Sequence, residues 1–409
     1  MTKNSENPAA SEATRSGVYR RPFELAEYQQ RLATVRKRMS ERGIDLLMTN
    51  DPCNMNYLSG YDGWSFHQAQ CLLIAADGGD PVWTGRITEH FQAKMTSFLP
   101  NENIEPYPEH YFIRTVPKNP FDFMVEIIRR RGWAQLRIGL EMDTALMTAL
   151  GYRTLEAGLP QASFVDATFL VDRVRAIKSP TELHYMDQAA RILEKAMSVA
   201  FEKIAPGVRQ CDLAADIISA QVRGVDGYHG DYTSTVPLMP TGAGTSAPHL
   251  TWTAEPYVSG AATIIEIAGC RHHYHVPMGR TVYLGKPPQK MLDAAKFSLE
   301  AIDAAIDAAR PGVQCQDVER AWRKVMSKSQ LVKDSRIGYT IGMGYPPDWC
   351  GNTASFFPGD TNIIEKDMTF HMMPGIWMED FGIEMSEPIH ITANGARRLA
   401  NVQRSLIVK

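Results

Sequence analysis

The feature of this sequence that most restricts its fold is an internal echo. Pro206-Gly-Val-Arg-Gln-Cys-Asp212 and, about a hundred residues later, Pro311-Gly-Val-Gln-Cys-Gln-Asp317 place a proline, a glycine, a valine and an aspartate at equal offsets. Each segment follows a long stretch with apolar residues at helical spacing. Leu183, Met186, Ala190, Leu193, Met197, Phe201 and Ile204 precede the first, and Leu292, Ala295, Leu299, Ile302 and Ile306 the second. Two copies of a helix, a turn and a capped second helix are expected, which makes the second half of the chain pseudo-symmetric. The first long helix also has an explicit start, with Ser179 as N-cap, Pro180 as first helical residue and Glu182 as capping-box partner. We therefore divide the chain into a loose polar tail at 1–18, a domain at 19–178 and a domain at 179–409.

The first domain reads as α/β. Leu25, Tyr28, Leu32, Val35 and Met39 recur at helical spacing, and Gly43 stands where a helix end takes a left-handed residue. Strand-like runs follow at Leu46–Met48, Cys71–Ala76, Pro81–Gly85 and Arg137–Glu141, with a helical stretch at Phe121–Trp133.

Composition narrows the function by exclusion. A net charge of −3 leaves no basic surplus for a phosphate backbone, so nucleic acid is not an expected partner. No stretch is long and apolar enough to span a membrane, and the opening residues lack the apolar core of a signal peptide. Six cysteines are scattered without paired spacing, as reduced thiols of a cytoplasmic protein would be.

Chemistry concentrates after residue 240. Gly242-Ala-Gly-Thr-Ser-Ala-Pro-His249 is a glycine-rich turn ending in a histidine, and Ala262-Thr-Ile-Ile-Glu266-Ile-Ala-Gly269 is an apolar, β-rich run interrupted by one carboxylate. A buried, unpaired carboxylate costs several kcal/mol, so Glu266 is expected to be paired, protonated or functional; the bland alternative is a side chain facing solvent. His272-His273-Tyr-His275 invites a metal site, since His273 and His275 would share one face of a strand, but two such ligands are too few for zinc.

These residues also carry a resemblance. Asn56-Tyr-Leu-Ser-Gly60, Ile177-Lys-Ser-Pro-Thr-Glu182, the turn to His249, Gly279-Arg-Thr281, Gly338-Tyr-Thr-Ile-Gly342 and Met372-Met-Pro-Gly-Ile376 resemble, in order, the landmarks of the pita-bread superfamily of creatinase, prolidase and aminopeptidase P. The resemblance runs from about residue 22 onward. It implies a creatinase-type N-terminal domain followed by an α+β pita-bread catalytic domain, and by family analogy a homodimer. Peptidases of the group hold two metal ions with two aspartates, a histidine and two glutamates. At those positions this chain has Glu266, Pro277, Tyr339, Met373 and Ser386, with Glu387 one place out of register. Proline and methionine offer no hard oxygen ligand, so the expectation is a hydrolase with no metal and no cofactor.

Among metal-free branches the chain is most similar to the ectoine hydrolases, which implies a small cyclic amidine as substrate. On that resemblance Glu266 is the expected nucleophile, with general-base action as the fallback; Glu255 holds the amidinium or shuttles a proton, and His249 transfers a proton or binds substrate. Trp252 suits a flat cation, and Tyr339 and His371 would occupy the vacated metal space. Trp64 and Phe66 would line the pocket from the neighbouring subunit, or simply anchor their loop. Two other readings stay open at this point: hydrolysis of another amidine, and a binding module that has kept the fold without catalysis.

Overall fold

The computed structural model describes residues 21–113 and 117–409, and the expected tail over 1–18 lies outside them. The chain forms two compact units, one ending at Val174 and the other beginning at Arg175.

In the first unit, α1 (Leu25–Glu41) buries Tyr28, Leu32, Val35 and Met39, the face that the period picks out. Gly43 lies just beyond its end with φ of 62°. Strands β1 (Leu46–Thr49), β2 (Cys71–Ala75), β3 (Val82–Thr84), β4 (Arg137–Leu140) and β5 (Ser163–Asp166) form one sheet in the order β3-β2-β1-β4-β5. β1, β4 and β5 are parallel, and β2 and β3 add to them antiparallel. The connecting helices are α2 (Pro52–Ser59), α3 (His90–Thr96), α4 (Pro120–Arg130), α5 (Ala149–Gly158) and α6 (Leu170–Arg175). α4 stops three residues short of the predicted Trp133, because Gly132 adopts φ of 77°. Leu46, Met48, Leu73, Ile127 and Ile138 meet in an apolar core beneath the sheet.

The second unit opens on the capping box that the sequence announces. Ser179 Oγ accepts from Glu182 N–H at 3.2 Å, and Glu182 Oε2 accepts from Ser179 N–H at 2.8 Å. From that cap α7 (Pro180–Lys203) runs with Met186, Ala190, Leu193 and Met197 buried, followed by α8 (Gln210–Arg223). The second copy is α9 (Gln289–Ala308) and α10 (Cys315–Met326). On α9 the buried stripe is Met291, Ala294, Ala295, Ser298, Ala301, Ile302 and Ala305; of the expected line Ala295 and Ile302 belong to it, and Leu299 and Ile306 pack partly buried against the same core. Small residues face the sheet there and admit a close approach, while Leu292 turns outward at 39% exposure.

The duplication extends to the backbone hydrogen bonds. Gly207 and Gly312 both adopt φ of 88° and donate to Tyr257 O and Ile364 O. Gln210 N–H and Cys211 N–H at the start of α8 reach Glu255 O and Thr253 O; Cys315 and Gln316 at the start of α10 reach Asn362 O and Asp360 O. Neither helix has the side-chain cap expected from sequence. Extended segments satisfy the free N–H groups in both copies instead, and Asp212 and Asp317 sit in the first turn.

Ten strands complete the unit: β6 (Ala262–Arg271), β7 (Tyr274–Tyr283), β8 (Gly338–Tyr345), β9 (Asp348–Ser355), β10 (Thr369–Met372), β11 (Ile376–Trp377), β12 (Gly382–Ile383), β13 (Glu387–Thr392), β14 (Gly395–Arg398) and β15 (Ile407–Val408). Eight of them form one sheet with the path β14-β13-β10-β8-β7-β15, to which β6 adds beside β7 and β9 beside β8. β11 and β12 pair separately. No helix among the described residues is long and apolar enough to cross a membrane.

Candidate active site

Glu266 lies in the middle of β6 and its backbone is held from both sides. Across the sheet it pairs with Gly279 of β7, and on its outer side it exchanges two 3.0 Å hydrogen bonds with Leu238. The side chain is buried, with only 6% of its surface exposed, which excludes the solvent-facing alternative. Burial, with Glu384 and Asp348 nearby, pushes its carboxyl well above the usual carboxylate range.

Glu384, Ser386 and His371 complete the buried cluster. Ser386 sits opposite Gly279, whose N–H donates to Ser386 Oγ at 2.6 Å and whose carbonyl accepts from Ser386 N–H at 3.1 Å. Two residues back, Glu384 N–H donates to Thr281 Oγ1 at 2.8 Å. This pairing aims the Glu384 carboxyl over Gly279, where a β-carbon would stand 1.8 Å from its Oε1. One atom each of Glu266, His371 and Glu384 then lie within 4.8 Å of one another. Burial lifts Glu384 to about 7 against the opposing pull of Lys333, Ser386 and Arg280.

A chain of hydrogen bonds runs from Trp349 to Ser386. Trp349 Nε1–H donates to the Tyr339 hydroxyl at 3.1 Å, and that hydroxyl lies 3.0 Å from His371 Nδ1, its cross-strand neighbour. His371 Nε2 is 2.7 Å from Ser386 Oγ, which also accepts from Gly279 N–H. An indole N–H can only donate, so Tyr339 accepts from Trp349, and a neutral His371 ring donates to one of the Tyr339 and Ser386 hydroxyls and accepts from the other. Burial, reinforced by Arg280 and Arg336, lowers the His371 pKa to about 3 and keeps the ring neutral.

The metal positions of the peptidases do not fit cations here. Pro277 and Met373 have no ligand oxygen in their side chains, and the hydroxyls of Tyr339 and Ser386 are committed to His371. The cluster of Glu266, His371 and Glu384 has the spacing of a metal site, but both His371 nitrogens are already engaged. Glu387 does not replace the lost glutamate. It pairs at 2.9 Å with the buried Arg280, and Arg404 Nε reaches the same oxygen at 3.0 Å.

The comparisons with known proteins agree with this architecture. Residues 184–393 match the sequence profile of metallopeptidase family M24, and residues 31–177 that of the creatinase/prolidase N-terminal domain. The chain belongs to metallopeptidase family M24. Within M24 it is 42% identical over 395 residues to the ectoine hydrolase of Halomonas elongata, covering 95% of this chain and 98% of that protein. It is 41% identical over 387 residues to an uncharacterized hydrolase/peptidase of Sinorhizobium fredii, covering 95% and 98%. Among solved structures, the dipeptidase PepE from Mycobacterium ulcerans matches with a TM-score of 0.79 at 22% identity, over 94% of this chain and 99% of that one. That likeness carries the fold alone.

Of the residues the sequence singles out, Glu266, Tyr339 and His371 meet in this M24 site. His249, Trp252 and Glu255 lie on the segment leading to β6. His249 and Glu255 are exposed, Trp252 is half-buried, and their side chains form no hydrogen bond or ion pair among the described residues. Glu255 is held through its backbone at the start of α8. Trp64 and Phe66 belong to the first unit, as an edge-to-face pair 5.1 Å apart with Trp64 58% exposed.

The histidine run is resolved differently from the sequence expectation. His272 and His273 form the β6–β7 turn with φ of 49° and 63°, so His273 is not on a strand face with His275. His275 Nε2 accepts from Ser234 N–H at 2.9 Å, and Nδ1 donates to His273 O at 2.7 Å, which leaves neither nitrogen for a metal. Sequence reasoning missed Glu384. Its signal is the one that marks Glu266, a single carboxylate between Ile383 and Met385 in a buried stretch.

Proposed function

We propose that this chain hydrolyses ectoine, opening its cyclic amidine to N-acetyl-diaminobutyrate, with Glu266 as nucleophile and no metal. The observation that carries the proposal is the 42% identity with the ectoine hydrolase of Halomonas elongata over nearly the full length of both chains. The loss of the peptidase ligands and the buried carboxylates in their place support it. The amidinium carbon is electrophilic but resonance-stabilised, and a positioned carboxylate overcomes this by adding to it directly. Glu255, His249 and Trp252 are assigned to the substrate, Glu255 through the amidinium N–H groups and Trp252 through its ring face. Tyr339 and His371 shape the floor of the pocket. Trp64 and Phe66 are assigned to the neighbouring subunit's pocket in a homodimer, and the protein to the cytoplasm.

The test is to incubate the purified protein with ectoine, with and without a strong chelator, and to follow ring opening by proton NMR. N-acetyl-diaminobutyrate formed at the same rate in both samples is the expected result. Absence of product would remove ectoine as substrate, and chelator-sensitive turnover would overturn the metal-free site. Glu266→Gln is expected to lower kcat by about 10³-fold or more, since a nucleophile has no substitute within the site.

A further inference from the structure

Ring opening through Glu266 needs a second group that protonates the departing nitrogen and later takes a proton from water. We propose that Glu384 is this group, a second catalytic carboxylate working beside Glu266. The inference rests on the reading of Glu266 as nucleophile toward ectoine.

The carboxyls of Glu266, in β6, and Glu384, in the link between β12 and β13, converge within 4.8 Å over Gly279, where a side chain would keep them apart. Glu384 is 1% exposed, and its Oε1 has no hydrogen-bond partner among the described residues. A buried carboxylate oxygen left unpaired, beside a residue with the same chemistry, is what a site waiting for a substrate N–H presents. Lys333, Ser386 and Arg280 oppose the effect of burial on Glu384 and favour its ionised form once the proton has left. Two carboxyls this close disfavour double ionisation, and burial raises both. Glu255, by contrast, is exposed and tied by its backbone to the start of α8.

The steps balance with one shared proton. A Glu266 oxygen bonds to the amidinium carbon while Glu384 gives its proton to one ring nitrogen. The bond from the carbon to that nitrogen breaks, and the nitrogen departs as an amine. The carbon is now joined to Glu266 by a C–O bond and doubly bonded to the other, protonated nitrogen. Water adds to the carbon and gives one proton to ionised Glu384. The C–O bond to Glu266 breaks with its electrons returning to the carboxylate, and the second water proton ends on the amine. An acetamide and an ammonium group result, with both glutamates restored.

Wild type, Glu384→Gln, Glu384→Asp and Glu255→Gln are assayed with ectoine by NMR, with folding checked by thermal melting and near-ultraviolet circular dichroism. Glu384→Gln is expected to lose about 100-fold or more in kcat with KM within about threefold of wild type. Glu384→Asp, which keeps the carboxyl one methylene back, is expected to recover at least about tenfold of that loss. A Glu384→Gln kcat within threefold of wild type overturns the proposal, as does a loss carried by KM alone or a larger kcat loss in Glu255→Gln. If Glu384→Gln does not fold, Glu384→Asp decides: kcat lowered about tenfold at unchanged KM supports the role, and wild-type kcat removes it. A wild-type enzyme inert toward ectoine overturns the underlying reading, and this one with it.

Discussion

Glu266 faces Gly279 across the antiparallel pair β6–β7, and the space that a side chain at 279 would fill holds the carboxyl of Glu384. The glycine is therefore part of the site without contributing a functional group. Its φ is not in the left-handed region, so only this close approach requires it.

Gly279→Ala tests that relationship. The new methyl would meet Glu384 Oε1 at 1.8 Å, so the carboxyl must swing away from Glu266. Overpacking of this kind costs about 1–3 kcal/mol, which a protein of this size survives. The expected outcome is a folded variant with a lower melting temperature and at least about tenfold lower kcat. Wild-type turnover in Gly279→Ala would show that the position of Glu384 is immaterial.

Glu387→Gln should give the opposite phenotype. Arg280 is fully buried and its charge is met by Glu387 Oε1 at 2.9 Å, with backbone carbonyls of Gly279, Ser386 and Gln403 completing its shell. Removing the counter-charge leaves the guanidinium buried and uncompensated, a loss of roughly 3–5 kcal/mol. Thermal unfolding is expected to move down by several degrees, while kcat per folded molecule changes little. A loss of kcat with an unchanged melting temperature would place Glu387 in the chemistry instead.

Stability should depend on pH through Glu384. Its folded pKa, about 7, lies above the ordinary carboxylate value of 4.5, so the folded state holds the proton more tightly. The associated stability is fully present below pH 4.5 and is lost as pH rises to 7, by on the order of 3 kcal/mol. Glu384→Gln cannot ionise and escapes this loss. Denaturant melts at pH 5 and pH 8 are expected to show the variant gaining on wild type at the higher pH. An equal pH dependence in both proteins would mean that Glu384 titrates as an ordinary carboxylate.

Half of the buried cluster was legible in the sequence. Glu266 stands out because a lone carboxylate in Ile264-Ile-Glu-Ile267 has no cheap explanation in a buried strand. Tyr339 and His371 were reachable only through family landmarks, since a buried tyrosine and histidine are ordinary core residues until their partners are known. Glu384 lies outside any strand, in a short stretch between β12 and β13 with other acidic residues close by, and its burial follows from a glycine more than a hundred residues earlier.

Local chemistry was written in the chain itself. The Ser179 capping box, the apolar stripe of α7 and the paired turns at Gly207 and Gly312 depend on residues a few positions apart, where spacing alone sets the geometry. Tertiary structure decided what depends on distant strands: that loop carbonyls rather than side chains cap α8 and α10, that Glu387 belongs to Arg280, and that Glu384 converges on Glu266. Those pairings are fixed by sheet register and by the volume left at Gly279, neither of which is visible in local spacing.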